Sequence, residues 1–210
     1  MPSFRDAIAA AGPVVLDGGV ATHLEARGHD LSSHLWSARM VIDEPDEVIA
    51  AHRDFFVAGA QVATTASYQA SFEGLARLGL DRATAVAVLT ATVHLADRAR
   101  RELATASDAA APDDAATHHG AGSAGTGDGP RWVAASVGPY GAALADGSEY
   151  RGDYGLSVAE LARWHRPRLE VLADAGADVL ALETIPCLAE VEALLSLVDG
   201  AGVVWTAGCP

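Results

Sequence analysis

Short apolar runs alternate along this chain with longer stretches whose apolar residues recur at helical spacing. The first run, 14–16, reads as a buried strand and ends in Asp17-Gly18-Gly19. A helix is expected over 43–58, with Pro45 and neighbouring acids in its first turn and Gly59 at its stop. Residues 61–66 read as a second strand. A long helix follows from about 81 to 103, with Asp81 as N-cap and Val88, Leu89, Val93, Ala96 and Leu103 near helical spacing. Residues 132–136 form the third strand. Ser157 and Glu160 then make an S-x-x-E capping box, opening a helix that carries Leu161, Trp164, Leu169 and Leu172, with a kink expected at Pro167. The fourth strand spans 178–182. Leu188, Val191, Leu194, Leu195 and Val198 mark the next helix, and 203–206 open a fifth strand.

Strands alternating with helices predict a parallel sheet covered by helices, an α/β fold. A doubly wound sheet and a (β/α)8 barrel of the TIM type both fit. The polar residues favour the barrel, because they cluster where strands end: Asp17, then Thr64, Thr65 and Ser67, then Ser136, then Glu183 and Thr184. Barrels build active sites from the C-terminal ends of several strands. The chain is expected to hold about the first five βα units of such a barrel, as one incomplete domain over 1–210. Residues 105–130, rich in Ala, Gly, Ser, Asp and Pro, are expected to be a low-complexity mobile surface insert.

Composition narrows the chemistry. The formal net charge is −14, which argues against a nucleic-acid or anionic-membrane partner. Every Lys/Arg position is Arg, so a lysine Schiff base and a P-loop lysine are both excluded. No run of about 18 apolar residues suggests a membrane span. The N-terminus lacks the pattern of a secretory leader, and two cysteines make no disulfide framework, so a reducing cytoplasm is expected.

Single motifs have competing readings. Asp17 either caps a turn that uses Gly19 or offers a carboxylate to an ammonium group. Glu183 ends an apolar strand, where it either pairs with an Arg from a neighbouring unit or joins Asp17 around one mouth. Trp36, in the loop region after the first strand, is either a packing aromatic or a wall for a cationic methyl group. Residues 138–154 hold Tyr140, Tyr150 and Tyr154 and read as a binding segment or a structural Ω-loop. Cys187 has no second Cys or His at metal spacing and reads as a small apolar residue. The G-x-G-x-x-G at Gly120, Gly122 and Gly125 follows no strand and opens no helix. His118-His119 beside it lacks partner ligands.

Five segments taken in order carry more. LDGGVATHLEARGHDL, LWSARMVIDEP, HRDFFVAGAQVATTASYQAS, SVGPYGAALADGSEYRGDY and HRPRLEVLADAGADVLALETIP closely resemble homocysteine S-methyltransferases, nearest to the S-methylmethionine-dependent type. The resemblance implies a (β/α)8 barrel that moves a methyl group from S-methylmethionine, or S-adenosylmethionine, to homocysteine, giving methionine. It implies that Asp17 and Glu183 hold the homocysteine amino group, with Gly18 and Thr65 beside them. Trp36, Tyr140, Tyr150 and Tyr154 are weaker matches for the donor side. It also implies a zinc ion held by three cysteines. The family's cysteines belong to Gly-x-Asn-Cys and Gly-Gly-Cys-Cys segments that do not occur here, and neither Cys187 nor Cys209 matches them. A chain truncated at its C-terminus is therefore expected, with no catalytic residue and no metal ligand assigned within it. The alternatives are an inactive remnant without its zinc, or a different barrel enzyme using Asp17 and Glu183 as acid and base.

Overall fold

The computed structural model describes residues 3–10, 13–30, 36–110, 129–198 and 205–208. The elements run α1 (Phe4–Ala9), α2 (Val20–Ala26), α3 (Trp36–Asp43), α4 (Pro45–Val57), β1 (Val62–Thr64), α5 (Phe72–Arg77) and α6 (Arg82–Ala110). After these come β2 (Trp132–Val137), α7 (Tyr140–Leu144), a 3-10 turn (Ser148–Tyr150), α8 (Val158–Asp174), β3 (Val179–Glu183), α9 (Leu188–Val198) and β4 (Trp205–Gly208).

All the strand pairs are parallel, and the spatial order β1-β2-β3-β4 is the chain order with no reversal. The expected first strand survives as one parallel bridge, Leu16 to Val62, on the free edge of β1. Its short apolar run reaches β1 through Gln61 and Val62, whose N–H groups donate to Val15 O at 2.8 and 3.2 Å.

Residue parity divides the sheet into two faces. Ala63, Val133, Ala135, Val137, Leu180 and Leu182 pack against α2, α4, α6, α8 and α9 in the main core. Val62, Trp132, Ala134, Val179 and Ala181 face the other way, into a small cluster with Phe4. The Phe4 ring meets Trp132 edge-on at 5.6 Å, so α1 covers the N-terminal end of that second face.

Local signals set the helix ends. The Ser157 hydroxyl accepts from Glu160 N–H while the Glu160 carboxylate accepts from Ser157 N–H at 2.8 Å, the reciprocal box read from sequence. An unforeseen box with the same logic, Ser3 and Asp6, opens α1. Asp81 accepts from Thr84 N–H at 2.8 Å and caps α6. Two expectations change. α6 runs on to Ala110, so the start of the supposed insert is helical: three of residues 105–110 are Ala, which favours continuation. Residues 111–128, including His118-His119 and the Gly120 motif, lie outside the described residues. Trp36 stands at the start of α3 rather than in a loop, and α8 carries Pro167 in its interior.

Candidate functional site

The face shared by Val62, Ala134 and Ala181 continues by parity to Thr64, Ser136 and Glu183 at the C-terminal strand ends. These residues meet Asp17, which leaves the Leu16 bridge just above β1. Together with Gly18, Thr65 and Tyr68 they line an open cavity of about 410 Å³. Asp17, Gly18, Thr65 and Glu183 were each named from sequence, and the fold brings all four to this one place. A second cavity, of about 380 Å³ between α8 and α9, holds no comparable convergence of polar groups from strand ends.

Each acid is held by a local donor. Asp17 Oδ2 accepts the Thr64 N–H at 2.7 Å, and Asp17 N–H donates to Val62 O at 3.0 Å. This is not the local turn cap considered from sequence: the carboxylate accepts from the end of β1, 47 residues away in the chain. The Ser136 hydroxyl donates to Glu183 Oε1 in a short bond. Among the described residues no ion pair involves either acid, so the Arg partner considered for Glu183 is absent from that set. Burial, with Glu183 nearby, raises Asp17 to about 6 despite the Thr64 contact. Burial also raises Glu183, against the pull of Ser136.

Thr65 serves the site indirectly. The Ser67 hydroxyl donates to Ser136 O at 2.7 Å, so its oxygen must accept from the Thr65 hydroxyl, 2.7 Å away. Thr65 Oγ1 in turn accepts the Ser136 N–H at 3.0 Å. This closed circuit locks the end of β1 to the Ser136 that orients Glu183. Gly18 is needed for space: a Cβ there would lie 2.9 Å from the Phe55 ring. Gly19, expected to serve a turn, has an ordinary φ of −66° and caps α2.

One lining residue was missed, and one residue named from sequence has an unforeseen backbone. Tyr68 lines the cavity, and its hydroxyl is pushed up to about 12, chiefly by burial, with Glu149 and Glu183 adding to the effect. Thr184, a β-branched residue at φ 57°, turns the chain directly after Glu183. A positive φ in a non-glycine leaves no pattern in a single sequence.

The donor-side candidates divide. Tyr140 and Tyr154 pack edge to face at 5.3 Å, and Tyr140 meets Trp164 at 5.0 Å. This cluster stands behind the cavity rather than among its lining residues. Tyr150 is 72% exposed and joins no ring contact. The Trp36 side chain lies outside the described residues.

The described residues do not fit a zinc ion. Among them no group of three or more His, Cys, Asp or Glu side chains could hold a metal. Cys187 lies against Gly152, away from the cavity lining, and Cys209 is outside the described residues.

The sequence model of the homocysteine S-methyltransferase family matches residues 14–209. The chain belongs to the homocysteine S-methyltransferase family. It is 47% identical to a homocysteine S-methyltransferase of Escherichia coli, over 88% of this chain and 54% of that protein. It is 45% identical to homocysteine S-methyltransferase YbgG of Bacillus subtilis, with the same coverage. Among solved structures, the metallated form of the homocysteine methyltransferase MmuM from Escherichia coli superposes with a TM-score of 0.82 at 43% identity. That match covers 97% of this chain and 64% of the other. The chain thus spans about half the length of the curated S-methyltransferases it matches.

Proposed function

We propose that this chain carries the amino-acid grip of a homocysteine S-methyltransferase working in the reducing cytoplasm. The methyl group passes from S-methylmethionine, or S-adenosylmethionine, to homocysteine, giving methionine. One observation carries the reading: Asp17 and Glu183 line one cavity with no basic side chain among its described lining residues. Two half-buried carboxylates lacking a cationic partner among the described residues suit an ammonium group, which supplies the missing charge. Gly18 keeps the floor open and Thr65 braces it. Trp36, Tyr140, Tyr150 and Tyr154 are assigned to the donor side, where aromatic faces attract a sulfonium cation. Sequential strand order, with α2, α4, α6, α8 and α9 on one face and only the short α1 at the end of the other, supports the (β/α)8 barrel, since a doubly wound sheet reverses order and is covered on both faces.

In the transfer, the homocysteine sulfur attacks the donor methyl carbon in line. A new S–C bond forms, the old S–C bond breaks onto the leaving sulfur, and the thiol proton is lost. Asp17 and Glu183 orient the nucleophile by its far end and take no part in the bond exchange. Thiol activation is not something the described residues supply. That supports a second reading, a chain that holds the amino acid and transfers nothing.

Methionine formation from S-methylmethionine separates the two readings. Binding tests the grip shared by both. Asp17→Asn and Glu183→Gln should each weaken homocysteine binding by about 10- to 100-fold, as expected for a charge-assisted contact. Affinity unchanged in both variants would refute the grip.

A further inference from the structure

Behind the cavity wall, three buried side chains form a relay that the amino-acid grip does not use. Glu190, in the first turn of α9, is 0% exposed. Its Oε1 accepts the Tyr140 N–H at 2.5 Å and lies 2.7 Å from His165 Nε2. Arg168, 1% exposed, follows His165 by one turn of α8. It donates to Gly138 O at 2.6 Å, to Ala70 O at 3.3 Å, to Tyr68 O at 3.4 Å and to His165 Nδ1 at 3.1 Å.

The tautomer follows from the donors. A guanidinium only donates, so His165 Nδ1 must accept. The single ring proton is then on Nε2 and points to Glu190. His165 is a neutral link between a buried anion and a buried cation, and burial that lowers it to about 4 agrees. The relay joins loops that follow three strands. It holds the carbonyls of Tyr68 and Ala70 after β1, the turn at Gly138 and Tyr140 after β2, and the start of α9 after β3.

We propose that Glu190, His165 and Arg168 are positioning residues for the methyl donor, clamping the backbone of Tyr68 and of the Gly138–Tyr140 turn so that the Tyr68 ring, which lines the cavity, faces the sulfonium cation. This rests on the functional reading above. The clamp grips loop backbone, whereas the two acids of the amino-acid grip are anchored separately, by Thr64 N–H and the Ser136 hydroxyl. Movement of the clamped turn passes to Tyr68, because an ideal Cβ at Gly138 would be only 2.6 Å from Tyr68 O. Charge matters as well. Glu190 is the acid that acts most strongly on Arg168, and without it the buried guanidinium would be left with Glu73 alone.

The test is calorimetric titration of the full chain with homocysteine, and with S-methylmethionine at saturating homocysteine. His165→Leu, which breaks the relay, should weaken S-methylmethionine binding about tenfold or more, the scale of a misplaced wall. Homocysteine affinity should fall much less, because Asp17 and Glu183 are anchored by Thr64 N–H and the Ser136 hydroxyl and not by the relay. His165→Gln, whose amide both donates and accepts, should restore donor binding. Nitrogen NMR of His165 should show the proton on Nε2. Parallel loss of both ligands, unchanged donor affinity, or a proton on Nδ1 overturns the proposal. If His165→Leu does not fold, Glu190→Gln carries the same test through loss of charge, with the same results for and against. A wild-type chain that binds homocysteine but no donor also overturns it while sparing the grip. One that binds neither sinks the functional reading itself.

Discussion

Asp17 sets function against stability within one side chain. Its folded pKa, about 6, lies above the ordinary 3.8. The folded state therefore holds the proton more tightly than the unfolded chain does. Stability is lost as pH rises from 3.8 towards 6, and at neutral pH the ionised carboxylate costs about 2–3 kcal/mol as an upper estimate. Asn at this position keeps an oxygen for the Thr64 N–H and removes the charge. Asp17→Asn should therefore raise the melting temperature at pH 7 while weakening homocysteine binding, a trade-off expected where a site is held in a costly state. Thermal unfolding at pH 7 and pH 4 checks this, because the stability gain should vanish at the lower pH. Glycine contrasts make a second residue-scale prediction. Gly18→Ala presses on the far end of the Phe55 side chain, whereas Gly138→Ala presses on the Tyr68 backbone, which yields less readily. The second change should cost about 1–3 kcal/mol and the first less, read from denaturant midpoints.

At the scale of elements, the capping box on α8 offers a clean measurement. Ser157→Ala removes the hydroxyl that accepts from Glu160 N–H and should cost about 1 kcal/mol, seen as a lower denaturant midpoint with unchanged slope. The box was legible in the sequence because its geometry is local. So were α4, α6, α9 and the apolar strands, whose periodicity comes from burial on one side. The short helices α1, α2, α3 and α5 were not legible, because one or two turns carry too few apolar repeats to stand out. The first strand was overcalled: its apolar residues fit the pattern, yet Val15 and Leu16 are exposed at the edge and only Leu16 forms a bridge. Asp17, Gly18, Thr65 and Glu183 were found by matching whole segments, since their convergence depends on strand pairing far apart in sequence. The Glu190–His165–Arg168 relay was invisible for the same reason, with no short motif to signal it.

For the whole molecule, buried histidines should dominate the acid response. His52, fully buried with both ring nitrogens unpartnered, is lowered to about 4, as is His165. Both fall below the ordinary 6.5, so the unfolded chain takes up protons first. Their contribution to stability is full above 6.5 and is lost as pH falls towards 4. Asp17 and Glu183, both raised by burial, oppose this, but Asp17 takes up its proton only near pH 6, after the loss from the histidines has begun at 6.5. The melting temperature should therefore drop between pH 7 and pH 4.5, and a flat or rising profile would show that these rings are not buried neutral. The amino-acid grip depends on pH in the same direction, for a different reason: an ammonium ligand needs ionised acids. The most direct measurement compares homocysteine with 4-mercaptobutyrate, the same molecule without its amino group, by titration from pH 5 to 7.5. Homocysteine should bind more tightly at pH 7 and lose about tenfold in affinity per pH unit below 6, while 4-mercaptobutyrate shows no such loss. Equal affinities with parallel pH profiles would contradict the claim that Asp17 and Glu183 hold an amino group between them.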